Sequence, residues 1–232
     1  MKNIALLKDL DVSNFDVILF GEVHGTKEIP NYIFSYISDC IKNFNLDIGL
    51  ELSSSYQDKV DLFLECGDEN ILAKIFLTSE ADDGRKTEDY FLFIKKIRQL
   101  NIDLKKKIRV ICLDVSDDFK SDDFQNNREK IIANNILLNN RGKLCAVLGN
   151  IHASRKEINF SNLKINPVGS ILSKKLKDKL LTINIVPKKG KFYNFSIKEV
   201  EEIILSPPEL YDIIYIIDEV TPSRPLILKT AL

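Results

Sequence analysis

Two kinds of apolar pattern alternate along most of the chain. One is a short continuous apolar run closed by glycine or a polar residue. The other is a longer segment whose apolar residues recur every three or four positions. Asp16–Phe20 predicts a first strand, ending in Gly-Glu-Val-His-Gly. A helix follows, with Pro30 in its first turn and Ile33, Ile37, Ile41 and Phe44 at helical spacing. Leu46–Leu52 predicts a second strand that carries Glu51 at its end. Ser53–Ser55 then caps a segment with Val60, Phe63 and Leu64 on one face, and Asp68 caps another with Ile71, Leu72, Ile75 and Phe76 inward. Beyond the polar loop Ser79–Thr87, the stripe Tyr90, Phe93, Ile94, Ile97 and Leu100 predicts a further helix.

Ile108–Asp114 predicts a strand ending in an aspartate. The acidic loop Ser116–Asp123 leads into a helix over Phe124–Asn139, with Ile131, Ile132, Asn135 and Leu138 as the expected inner face. Lys143–Gly149 is the next strand and runs into Gly-Asn-Ile-His. A short helix over Gly169–Leu176, a strand over Leu180–Val186 and a turn at Lys188–Gly190 follow. Ser196 and Glu199 have the spacing of a capping box, which predicts a helix through Leu205. Tyr211–Ile217 is the last expected strand, ended by Thr221–Pro225.

Strands alternating with helices predict a three-layer α/β fold, its central sheet largely parallel and covered by helices on both faces. No repeat or low-complexity linker divides residues 1–232, so a single domain is expected. In such sheets ligands bind outside the carboxyl ends of the strands. Glu22, His24, Glu51, Asp114, Asn150 and His152 all fall at or just past such ends, on four different strands.

Composition narrows the function classes. Apolar residues make up 44% and charged residues 29%, which is ordinary for a globular domain. A net charge of −1 gives no electrostatic reason to expect nucleic acid or an anionic membrane as partner. No apolar run approaches the roughly 18–20 residues that span a bilayer. The N-terminus lacks a signal-peptide pattern, so a cytoplasmic location is expected. Cys40, Cys66, Cys112 and Cys145 form no C-x-x-C pair and are expected to be structural thiols.

The chemistry concentrates on the two histidines, each three residues after a glycine at a strand end. The imidazole of His24 titrates near neutrality, and Glu22 or Glu51 can orient it and balance its charge, an arrangement able to activate water against an ester or amide. His24, His152, Glu22 and Glu51 are equally an ordinary ligand set for a divalent metal such as Zn, Mn or Co, which would itself supply hydroxide. Against both stand plain structural roles: a histidine that pins a loop, a Glu22 that bonds its own turn, an Asp114 that caps the next element. Arg85 and Arg128 are donors for a carboxylate or an oxyanion, and otherwise solvated. A glycine-rich phosphate loop, Gly-x-Ser-x-Gly and His-Glu-x-x-His are all absent.

FGEVHGT, GLE, DGR, REKIIANN and GNIHA, in that order, resemble the motifs of the erythromycin esterase / ChaN-like / Tiki–TraB superfamily, and in particular its small esterase-like members. NPVGSIL with LLTINIV, and YDIIYIIDEVTPSRP, extend the resemblance over roughly residues 16–225. It implies an α/β fold with the site at the strand ends and a hydrolase acting on a small molecule or peptide. In the esterase branch the matching residues are His24 as base on water, with Glu22, Glu51 and His152 beside it. In the Tiki branch the same positions serve metal-dependent proteolysis, and in ChaN-like members the scaffold binds haem without catalysis. Arg85 and Arg128 match family arginines and, with Asp114 and Asn150, are expected to contact substrate. The chain departs from the pattern at Glu129 and Ile132, where aspartate and methionine are more usual, and it is much shorter than the macrolide esterases.

Overall fold

A computed structural model describes residues 10–77, 83–160, 163–200 and 208–226. Its centre is a six-stranded sheet built from the uninterrupted apolar runs. Strand β1 spans Val17–Glu22, β2 Leu46–Ser53, β3 Val110–Asp114 and β4 Lys143–Gly149. The hairpin strands β5 (Ile158–Phe160) and β6 (Leu163–Ile165) follow, then β7 (Leu180–Pro187), a second hairpin of β8 (Lys191–Asn194) and β9 (Ser196–Glu199), and β10 (Ile213–Ile217). The large sheet runs in the order β10-β7-β1-β4-β2-β3 with every pairing parallel. Successive residues of β1 and β7 are all buried, because both faces of a parallel sheet are covered.

Helices α1 (Glu28–Asn43), α2 (Gln57–Cys66), α3 (Glu69–Phe76) and α4 (Glu88–Leu104) cover one face. Ile33, Ile37, Phe63, Phe93 and Ile97 meet Ile18, Phe20, Ile48 and Leu50 there. Helices α5 (Phe124–Asn139), α6 (Asn150–Ala153) and α7 (Val168–Leu176) cover the other, where Ile132, Ile136 and Leu172 meet Val17, Leu19, Leu144 and Ala146. The three-layer α/β architecture is the one the apolar pattern implies. At the β3 edge, Gln57 supplies the missing ladder partner: its Nε2 donates to the Val110 carbonyl at 2.9 Å and its Oε1 accepts from the Cys112 amide at 2.7 Å. Among the described residues no helix is long and apolar enough to cross a membrane.

Two expectations need correction. The inner face of α5 is Glu129, Ile132, Ala133 and Ile136, whereas Leu138 is 81% exposed. The true stripe contains a glutamate, so a search for apolar spacing settles on the neighbouring register. Ser196–Glu199 does not open a helix but forms β9, paired antiparallel with β8. The β-prone residues Phe192, Tyr193 and Ile197 line that hairpin. Phe195 turns it at φ 56°, and Lys191 Nζ meets Glu199 Oε1 across it at 2.8 Å. The remainder of the expected helix (201–205) and the first part of the loop before α4 (79–82) lie outside the described residues.

Candidate active site

The β1 strand delivers Glu22 to the sheet edge, and the chain turns through Gly25 to reach α1. Gly25 has φ +75°, and a Cβ there would stand 1.8 Å from the Tyr193 carbonyl oxygen. Gly84, at φ +93°, meets the same carbonyl, so only glycine lets the HGT and DGR segments close against β8. A strap at the end of the described chain fixes this loop from outside. Ser223 donates its amide to the Gly25 carbonyl (2.8 Å), the Lys27 amide donates to Thr221 (3.0 Å), and the Glu88 amide to Arg224 (2.8 Å).

Two glutamate–histidine pairs converge on a third glutamate. His24 Nδ1 donates to Glu22 Oε1 at 2.7 Å, and His152 Nδ1 donates to Glu129 Oε1, also at 2.7 Å. Each bond places the Nδ1 proton and turns Nε2 inward. His24 Nε2 then lies 3.4 Å from Glu51 Oε2, and His152 Nε2 lies 3.4 Å from Glu51 Oε1. The Gly149 amide donates to Glu51 Oε2 at 2.6 Å, which locks β2 to the end of β4. Gly149 itself is a close approach: a Cβ there would be 2.9 Å from His24 Nε2 and 3.4 Å from His152 Cδ2.

The arginines complete the network. Arg128 donates from Nη2 to Glu51 Oε1 (2.6 Å) and Asp114 Oδ2 (2.7 Å), and from Nε to Asp114 Oδ1 (2.7 Å). Arg85 donates from Nη1 to Asp114 Oδ2 (2.6 Å) and from Nε to Asp83 Oδ1 (2.8 Å), with a longer contact to Glu51 Oε1 (3.4 Å).

This packing governs protonation. Burial alone would favour neutral His24, but Glu51 and Glu22 outweigh it and raise its pKa to about 10. His152 follows the same logic, burial opposed by Glu51 and Glu129, and rises to about 9. Arg128 Nη1, which can only donate, also sits 3.2 Å from His152 Nε2, a bond that needs that nitrogen unprotonated. His152 is therefore the more readily neutral of the two. Burial would raise Glu51, yet the two imidazoles hold it well below the usual carboxylate range.

Seven of the eight residues singled out by sequence meet in one network: Glu22, His24, Glu51, Asp114, His152, Arg128 and Arg85. Asn150 does not; its Oδ1 accepts from the neighbouring Ile151 amide at 2.8 Å, and its carbonyl accepts from the Tyr211 hydroxyl. Three participants escaped the sequence reading. Glu129 is fully buried, held by Gln125 Nε2 (2.6 Å) and the Val168 amide (3.0 Å) as well as His152. Its position next to Arg128 was the available signal. Tyr90 donates its hydroxyl to Glu22 Oε1, although its spacing placed it in an apolar stripe. Asp83 braces Arg85. The second oxygen of Glu22 is buried with no partner among the described residues.

Two cavities open on this network. A small one of about 10 Å³, the space of a single water, is lined by His24, Glu51, Arg85 and Tyr90 with Leu50, Leu52 and Val147. A larger cleft of about 290 Å³ shares Glu51, Leu52 and Arg85 with it and extends past Asp114 and Arg128 to Phe119 and Phe124.

A divalent metal is one of two readings that the sequence allows for His24, His152, Glu22 and Glu51. Among the described residues no group of three or more His, Cys, Asp or Glu side chains is placed to share an ion. The Nδ1–glutamate bonds are themselves compatible with metal ligation through Nε2. What opposes a cation is Arg128, which donates to Glu51 Oε1 at 2.6 Å and sits 3.2 Å from His152 Nε2, a fixed positive charge at the point where the ligands converge. The space directly against His24, about 10 Å³, is far smaller than a porphyrin.

No protein-family model matches the sequence, and no curated protein does so significantly. Solved structures do match in fold. A succinoglycan biosynthesis protein superposes with a TM-score of 0.74 at 13% identity, over 93% of this chain and 90% of that one. The erythromycin esterase EreC in its open conformation gives 0.62 at 10% identity, over 82% and 76%. ChaN of Campylobacter jejuni, described with cofacially bound haem, gives 0.51 at 17% identity, over 74% and 82%. The chain thus shares its fold with an esterase and a haem-binding protein, as the motifs implied.

Proposed function

We propose that the strand-end cluster is a hydrolytic site that splits an ester or amide bond of a small molecule with a water held against His24. The observation that carries this reading is the one-water cavity bounded by His24, Glu51, Arg85 and Tyr90, opening beside a cleft large enough for an organic substrate. In its neutral form, which becomes the major one only above about pH 10, His24 takes a proton from that water through Nε2 as the oxygen bonds to the carbonyl carbon, so turnover should climb with pH. Glu22 fixes the ring and balances the charge it gains. The developing oxyanion faces Arg85 and Arg128 and shares donors that stay bonded to Asp114 and Glu51, so the arginines need little reorganisation. When the intermediate collapses, His24 returns the proton to the departing oxygen or nitrogen. Glu51 is too weak a base to compete, because the two imidazoles and Arg128 hold its charge in place; its part is to align both histidines.

The test is hydrolysis of a panel of chromogenic and simple esters by wild type and His24→Ala. The variant should retain the wild-type circular dichroism spectrum and lose turnover. Equal hydrolysis by both proteins would remove His24 from the mechanism.

A further inference from the structure

The larger cleft carries information on what the site accepts. Its lining includes three acids, Glu51, Asp114 and Asp117, and three bases, Arg85, Lys86 and Arg128. The inner charges are matched to one another. All three nitrogens of Arg128 bond to Asp114, Glu51 or His152, and Arg85 bonds to Asp83 and Asp114. A substrate carboxylate or phosphate would have to displace a buried protein carboxylate to bind these guanidinium groups. A neutral carbonyl need not, since it can share donors that keep their partners.

The outer end is different in kind. Phe119 and Phe124 face each other at 5.6 Å between ring centroids, tilted by 49°. Phe124 is the first residue of α5 and is 44% exposed, so core packing does not explain a ring of that size there. It stands four residues before Arg128, on the same helical face, and such neighbours lie about 5–6 Å apart. A ligand reaching from the arginines to this ring pair therefore spans about one helical turn. The volume, about 290 Å³, is at the small end of organic-ligand sites.

We infer that the cleft takes an uncharged small ester bearing an aromatic group, its carbonyl at Arg85 and Arg128 and its ring against Phe119 and Phe124. This rests on the hydrolytic reading for the fate of the bond but not for the binding. Phenyl acetate, ethyl acetate and monophenyl succinate (an anionic aryl ester) are the probes, titrated by NMR into His24→Ala so that turnover does not intervene. Phenyl acetate should bind more tightly than the other two. Phe119→Ala and Phe124→Ala, added singly, should each weaken it about 2–10-fold, the range for one aromatic contact. Equal affinities for phenyl and ethyl acetate, tighter binding of the succinate, or indifference to both phenylalanine changes would overturn the inference. If phenyl acetate binds as described and wild type does not cleave it, the hydrolytic reading falls while the assignment of the cleft stands.

Discussion

Replacing Gly149 by alanine should separate the site from the fold. The backbone at Gly149 has φ −55° and ψ 146°, a conformation open to any L-residue, so the substitution introduces no strain. The amide that donates to Glu51 is unchanged. The added methyl, however, stands 2.9 Å from His24 Nε2, 3.4 Å from His152 Cδ2 and 3.6 Å from Glu51 Oε2. Normal contact for such atoms is about 3.5–4.0 Å, so the His24 ring must retreat by roughly 0.5–1 Å. A displacement of that size at a reacting group costs about 10²-fold in rate. Folding stability should change by only about 1 kcal/mol, since alanine also restricts the unfolded chain. The assay is kcat/KM on an ester that wild type cleaves, beside a urea titration of each protein. Undiminished turnover would show that His24 need not sit where Glu22 and Gly149 confine it. A collapse in stability of several kcal/mol would show that the crowding is structural and not specific to the site.

Tyr90→Phe removes a donor that competes with His24 for Glu22 Oε1, so the His24 pKa should rise by about 0.5–1 unit, followed by imidazole NMR shifts. Glu51→Gln should instead lower both histidine values toward 6.5, because the carboxylate facing them is their largest upward pull; titrations that stay at about 9 and 10 would refute this. Stability should follow pH with a definite sign. His24 and His152 bind protons more tightly when folded, so their contribution is complete below 6.5 and is lost as pH rises through about 9 and about 10. Glu51 has the opposite shift, so its contribution is present above 4.5 and is lost as pH falls toward its depressed value. Urea midpoints should form a plateau between these limits, and the alkaline decline should be smaller in His24→Gln. Gly25→Ala should cost about 1–3 kcal/mol by the same urea titration, since its Cβ strikes the Tyr193 carbonyl at a left-handed φ.

Much of this was legible before the structure because strand ends in a parallel sheet announce themselves. Continuous apolar runs that stop at Gly-Glu-x-x-Gly or Gly-x-x-His leave few alternatives for where β1 and β4 finish. What escaped was polar chemistry carried on helices. Glu129 and Tyr90 occupy inward positions of α5 and α4, where apolar periodicity treats a glutamate as solvent-facing and a tyrosine as core. Each is inward because it bonds to a member of the site, and a one-dimensional pattern cannot display that partner. Ser196 and Glu199 failed for a related reason: the spacing of a capping box is local, whereas the pairing that makes β9 comes from β8.

The strap that crosses the His24 loop has a consequence for how the protein forms. Gly25 and Lys27 are held by Thr221 and Ser223, almost two hundred positions later in the chain. The sheet core can collapse through nearer neighbours, but this loop is also tied across one of the longer separations among the described residues, and such contacts are paid for late in folding. During synthesis the first motif emerges early, and the loop that carries its histidine gains the Thr221 and Ser223 bonds only once the far end of the described chain is made. Closure of this loop should therefore come late in assembly, after the sheet that carries Glu22 and Glu51 has formed.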